Sequence, residues 1–161
     1  MHYTAQGGHL LVAGLIISRS TDSLKITDKN GKTCVHVAAA AGNKEMVALL
    51  LGQGAEINTQ DKRLWTPLHY AARYGYLDVV ELLVDSGADP SALSKDNKVP
   101  LCPAASAGHY DVMNYLLKKE HDTLALMDDR IVSRVQKLVG GWFLDFRFLD
   151  FLYLDFRLLD Y

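Results

Sequence analysis

The 161-residue chain is poor in cysteine and proline, with two and four residues. Cys34 and Cys102 stand at no spacing that would frame a disulfide network or a zinc site, which fits a reduced compartment and no structural metal. No stretch of about 20 uncharged apolar residues occurs, so the sequence offers no membrane-crossing helix. The apolar run over residues 10–17 has no Lys or Arg before it and reads as a packed helix rather than a secretory leader. A charge surplus is lacking too. The formal net charge of −2 argues against a general nucleic-acid binder, while 49% apolar and 22% charged residues suit an ordinary folded domain. No Ser/His/Asp or Cys/His set is present, and Gly140-Gly141 follows a helical pattern instead of opening one. The expectation is a protein that is not an enzyme and needs no cofactor.

What the chain does have is repetition. His36 and His69 lie 33 residues apart, as do Ala38 and Ala71, Gly42 and Gly75, Leu49 and Leu82, and Gly54 and Gly87. Laid over residues 61–93 without a gap, residues 28–60 give twelve identities. A third copy starts at Ser94, keeping Pro100, Leu101, Ala104, Ala105, Gly108, Val112 and Leu116 on the period but departing at Val99, Cys102 and Pro103. Upstream, residues 2–9 align with residues 69–76, with one extra residue near Asp22-Ser23, so the chain is expected to begin inside a repeat.

Each unit encodes two helices. Thr66 reads as an N-cap, with Pro67 at the first helical position, where a missing N–H costs nothing. Ala71 and Ala72 permit close backbone approach, and Gly75 ends the helix. The second helix carries Val79, Val80, Leu82, Leu83 and Val84, matched by Met46, Val47, Leu49, Leu50 and Leu51. These faces are satisfied only by a neighbouring repeat. In the third copy Val99 cannot cap, and Pro103 falls about four residues into the helix, a loss near ~3 kcal/mol if the register is kept. That copy therefore reads as a weak end of the array, a cap or hinge.

The run Thr66-Pro67-Leu68-His69-Tyr70-Ala71 at this period is similar to the ankyrin signature. The resemblance implies an all-α ankyrin-repeat solenoid: helix-turn-helix units joined by β-hairpin loops, about three and a half repeats plus a C-terminal helix. Its parts would be a partial repeat over residues 1–27, repeats over 28–60 and 61–93, a degenerate repeat over 94–127, a capping or linker helix over 128–141, and a tail over 142–161. Leu124, Met127, Ile131, Val135 and Leu138 supply the helix with its three- and four-residue steps. The tail repeats Leu-Asp-Phe every five residues, as at Leu144-Asp145-Phe146 and Leu149-Asp150-Phe151, a period that suits neither helix nor strand.

Residues 52–58, 65–90 and especially Lys119-Glu120-His121-Asp122-Thr123 through Arg130 also resemble the last ankyrin repeats of TRPN channels of the NompC type. That resemblance implies a cytosolic, force-bearing array that joins a channel linker. The alternative is a free-standing cytoplasmic adaptor.

In ankyrin proteins the hairpins and first helices face the partner. By that resemblance the partner-binding residues here are Lys29, Asn30, Lys32, Lys62, Arg63, Trp65, Arg73, Tyr74, Lys95 and Lys98. Their cationic excess points to an acidic protein partner or an adjoining channel linker. His2, His36 and His69 recur at one repeat position, but His36 and His69 stand one turn from the capping Thr33 and Thr66, so capping rather than metal binding is expected.

Overall fold

A computed structural model describes residues 1–124. The expected capping helix over 128–141 and the pentad tail over 142–161 lie outside the described residues, as do residues 125–130 of the segment on which the channel resemblance chiefly rests. The described chain is four helix pairs: α1 (His2–Gly7) with α2 (Leu10–Arg19), α3 (Cys34–Ala40) with α4 (Lys44–Gly52), α5 (Pro67–Tyr74) with α6 (Leu77–Asp85), and α7 (Leu101–Ala107) with α8 (Tyr110–Leu124).

The short first helices stack on one another in the order α1, α3, α5, α7, and the second helices α2, α4 and α6 stack behind them. Ala38, Ala39, Ala71, Ala72 and Ala104 are buried where the first helices meet, so small side chains set their separation. The larger apolar groups Met46, Leu50, Leu68, Leu83 and Leu116 fill the space between the two layers. Burying each such side chain contributes about 1.5–3 kcal/mol, and the contribution exists only while the adjacent repeat is in place.

Between paired helices the chain reverses on a left-handed glycine: Gly42 at φ 73°, Gly75 at 76° and Gly108 at 76°. Gly75 is required twice over. A side chain there would carry the conformational penalty of positive φ and would also strike the His109 ring of the following repeat.

Tight hairpins join the pairs. Asp28, Asp61 and Ser94 each open one, with N–H bonds from Gly31, Leu64 and Asn97 to their carbonyls at 2.9 Å. Each opener's own N–H closes the loop four residues on, to the carbonyls of Lys32, Trp65 and Lys98. No residue among those described is extended for long enough to form a strand.

The degenerate repeat keeps the helix register of α5: Pro100 already has helical angles, φ −53° and ψ −28°, and Cys102 N–H reaches the Val99 carbonyl as His69 N–H reaches that of Thr66 at 3.0 Å. Pro103 therefore sits where the sequence places it, but the bond it forfeits is the one that Tyr70 N–H makes to the Thr66 carbonyl at a long 3.4 Å in α5, so the loss falls below the ~3 kcal/mol of a mid-helix proline. Val99 offers no side-chain cap, as its sequence indicates; its carbonyl instead accepts from Cys102 N–H at 2.9 Å. Without a closing glycine where Glu120 stands, α8 runs 15 residues against nine in α4 and α6, and takes in Leu124.

Candidate partner-binding surface

The hairpins and first helices form one edge, and a histidine ladder fixes it. Thr66 and His69 make a capping box in which an imidazole does the work usually done by Glu: Thr66 N–H donates to His69 Nδ1 at 3.2 Å. His69 Nε2 lies 3.0 Å from the carbonyl of Lys98 in the next hairpin. His36 repeats the arrangement, taking Thr33 N–H at 3.0 Å and reaching the Trp65 carbonyl at 3.0 Å. His2 Nε2 reaches the Lys32 carbonyl at 2.7 Å. A carbonyl can only accept, so Nε2 carries the proton in the two fully buried rings and Nδ1 accepts. The capping role holds for His36 and His69, whereas α1 has no side-chain cap and His2 makes only the bond to the neighbouring hairpin, which the fold adds to all three. At the fourth step Cys102 stands in place of His, and the ladder ends.

Both buried imidazoles have pKa values below the ordinary 6.5, first because burial penalises the cation; the hydrogen bond to the next hairpin's carbonyl and the Asp61 carboxylate pull the other way.

A second network centres on Asp61, which is buried. Its Oδ1 accepts from Arg63 N–H at 2.8 Å and Trp65 N–H at 2.9 Å, while Oδ2 accepts from the Tyr70 hydroxyl at 2.6 Å. Burial and the adjacent carboxylate push the Tyr70 phenol well above its usual range. Asp28 Oδ1 takes Asn30 and Lys32 N–H, both at 2.8 Å. These two acids are spent within the fold, so the first two hairpins present a cationic exterior, while at the third the exposed Asp96 stands beside Lys95.

The sequence-expected residues divide into two groups. Lys29, Asn30, Lys62, Arg63, Arg73, Tyr74 and Lys95 are exposed. Lys62 N–H donates to the Asn30 carbonyl at 3.0 Å and Lys95 N–H to that of Arg63 at 2.9 Å, so the three tips are tied in sequence. Lys32, Trp65 and Lys98 are only half exposed. Lys32 Nζ sits 4.4 Å from the centre of the Tyr70 ring. Trp65 packs on His69 and Tyr70, with centroids 5.5 and 5.1 Å apart, and the Arg73 guanidinium stands 5.9 Å from its ring. Trp65 is thus part scaffold and part surface. Tyr70 and Asp61 were missed. Their signal was present in an acid at the hairpin's first position with an aromatic nine residues on, at Asp61 and Tyr70.

Behind the hairpins, Asn58 clips two loops together, donating to the Gly87 carbonyl at 3.3 Å and accepting from Asp89 N–H at 3.0 Å. One repeat earlier Lys25 holds that position, and an open cleft of about 660 Å³ lies there, lined by Asp22, Lys25, Gln53, Glu56 and Thr59. Among the described residues no three His, Cys, Asp or Glu side chains converge on a metal position. None of the described helices is long and apolar enough to cross a membrane.

A stack of helix pairs whose polar groups are consumed in holding its hairpins defines a repeat scaffold that works through its surface. The family model described as Ankyrin repeats (3 copies) matches residues 1–94 and 65–126, and the chain belongs to that family. It is a protein-interaction module of the ankyrin type. Among curated proteins it is 31% identical over 64 residues to Delta-latroinsectotoxin-Lt1a of Latrodectus tredecimguttatus, covering 39% of this chain and 5% of that protein. It is 30% identical over 65 residues to the Nuclear factor NF-kappa-B p105 subunit of Rattus norvegicus, covering 39% of this chain and 7% of that protein. The chain spans only a small part of either relative.

Proposed function

We propose that the chain holds an acidic protein segment along its hairpin edge, with Lys29, Lys62, Arg63 and Lys95 supplying charge and Arg73, Tyr74 and the open side of Trp65 supplying contact area. The observation that carries this reading is the backbone tie between successive tips, Lys62 to Asn30 and Lys95 to Arg63, which aligns one lysine per repeat while Asp28 and Asp61 are withdrawn into the turns. Aligned cations of one sign attract and orient an acidic partner, and the attraction is screened by salt. Lys32 and Lys98 flank this row.

Binding of a fluorescent oligo-glutamate peptide, followed by anisotropy across a salt series, tests it. Affinity should fall steeply with salt and vanish in Lys29→Glu/Lys62→Glu/Lys95→Glu, whose exposed side chains leave the fold intact. Salt-insensitive binding, or binding that survives the triple change, removes the proposal.

A second reading extends the first. The likeness of residues 119–130 to TRPN channels supports a cytosolic module of a mechanosensory channel, bearing force and passing it to an adjoining linker. The ladder of inter-repeat hydrogen bonds suits a load carried in series. A cytoplasmic adaptor that only holds its partner is the competing form. Sequencing the full transcript separates the two: six apolar spans downstream favour the channel, and a stop codon near Tyr161 favours the adaptor.

A further inference from the structure

Two junctions between repeats carry the same backbone groups, and only one of them is closed. At the later junction Asn58 Nδ2 donates to the Gly87 carbonyl at 3.3 Å and Asn58 Oδ1 accepts from Asp89 N–H at 3.0 Å, so one carboxamide fills a backbone acceptor and a backbone donor together. One period earlier the same three places are held by Lys25, Gly54 and Glu56. An ammonium donates and cannot accept, so Lys25 is unable to make that pair of bonds. Among the described residues the Gly54 carbonyl and the Glu56 N–H have no partner within the chain.

The walls of this junction stand apart. A cleft of about 660 Å³ separates the short turn Thr21–Leu24 from the loop over residues 53–56, and both Gly54 and Glu56 line it. That volume lies within the range of ligand pockets. Leu24 and Val35 are buried and supply apolar lining, while Thr33 and Thr59 add hydroxyls 3.4 Å apart. Asp22, Lys25 and Glu56 are exposed at the cleft and bring charges of both signs to it. Unlike the lysine row of the hairpin tips, such a rim selects no ion of one sign and suits a neutral polar group.

We infer that this cleft is a binding site for the primary carboxamide of an asparagine or glutamine side chain on a partner segment. The group enters where Asn58 sits one repeat later: its NH₂ donates to the Gly54 carbonyl, and its oxygen accepts from Glu56 N–H. The chain itself shows that this chemistry fits, because Asn58 makes the same two bonds to Gly87 and Asp89. A carboxylate offers no donor to the Gly54 carbonyl. A trans peptide group holds its N–H and C=O on opposite edges and cannot bridge the pair as a primary amide does. The site does not draw on the lysine row and stands or falls apart from the acidic segment proposed for the hairpin edge.

Two neutral hydrogen bonds in an open cleft give weak binding, so the test runs to millimolar peptide. Nitrogen–proton correlation spectra of the full chain, titrated with a short serine–glutamine peptide, should show the Glu56 amide signal shift and saturate. Read at that signal, the glutamine peptide should bind about tenfold tighter than a serine–methionine peptide of equal length, which is neutral but has no side-chain amide. Lys25→Asn returns the carboxamide to the chain. Its melting temperature should rise, its Glu56 amide should be displaced before any peptide is added, and peptide binding should be lost. If that variant leaves the Glu56 amide where it was, hydrogen exchange in the wild type decides the case: the glutamine peptide should slow exchange at Glu56 N–H and the methionine peptide should not. A Glu56 amide indifferent to the glutamine peptide overturns the inference. So does a closed Lys25→Asn junction that binds as well as the wild type, or acetamide that binds as tightly as the peptide, which would assign the cleft to small free amides instead of a partner segment.

Discussion

His69 spans two repeats: its Nδ1 caps its own helix through Thr66, and its Nε2 lies 3.0 Å from the carbonyl of Lys98, 29 residues away. One buried ring thus couples the start of a helix to the position of the next hairpin. Replacing it with alanine leaves the buried Thr66 N–H without its acceptor and removes one of the two bonds to the Lys98 carbonyl, which keeps that from Ser94 N–H, so His69→Ala should cost about 2–4 kcal/mol. Chemical denaturation against the wild type measures this. A loss under ~1 kcal/mol would mean the inter-repeat bond carries little.

The same geometry gives the stack a pH dependence. A proton on Nδ1 of His36 or His69 would set N–H against the threonine N–H and abolish the cap. Both rings have folded-state pKa values below 6.5, so the unfolded chain takes up these protons first. Their contribution is complete above about pH 6.5 and is lost as pH falls through the range between the unfolded and folded values. Thermal melts between neutral and mildly acidic pH should show a falling midpoint, with a smaller fall in His36→Gln. A flat profile contradicts the assigned tautomers.

The Asp61 carboxylate organises a hairpin and reaches the first helix through Tyr70. Tyr70→Phe deletes the 2.6 Å bond alone and should lose about 1–2 kcal/mol, part of it from the desolvated carboxylate oxygen left behind. Asp61→Ala orphans two backbone N–H groups and the phenol at once and should lose more than Tyr70→Phe. Urea unfolding of both variants ranks them; the reverse order would place the main restraint elsewhere.

Gly75 answers two demands. Gly75→Ala meets the left-handed penalty of about 1–2 kcal/mol and a collision with the His109 ring. The expected total exceeds ~2 kcal/mol. Adding His109→Ala should recover the steric part only, and a double-mutant cycle isolates it.

Pro103 offers a contrast. Pro103 forfeits only the counterpart of the 3.4 Å bond from Tyr70 N–H to the Thr66 carbonyl, so Pro103→Ala should change stability by less than about 1 kcal/mol, whereas Tyr70→Pro, at the equivalent position of α5, also deletes the phenol's bond to Asp61 and the ring's packing on Trp65 and should lose more than Tyr70→Phe. Melting temperatures of the two variants check both statements.

Much of this was legible in residue order. The 33-residue period, the Thr-Pro start and the glycine at helix ends fix the helix pairs, because each acts over a few neighbouring residues. The small effect of Pro103 was not, since it depends on the bond at that position being long, 3.4 Å from Tyr70 N–H to the Thr66 carbonyl in α5. The packing of Trp65 was not legible either: how far an indole beside a hairpin is covered depends on the His69 and Tyr70 rings beneath it.

Sequence alone determined what each repeat is, because caps, turns and apolar spacing are local chemistry read one unit at a time. Only the tertiary structure decided what the repeats do to one another: that a histidine reaches the next hairpin, and that two aspartates turn inward and leave lysines outside. Those relations join atoms about thirty residues apart, and no local preference encodes a distance of that kind until the repeats stack.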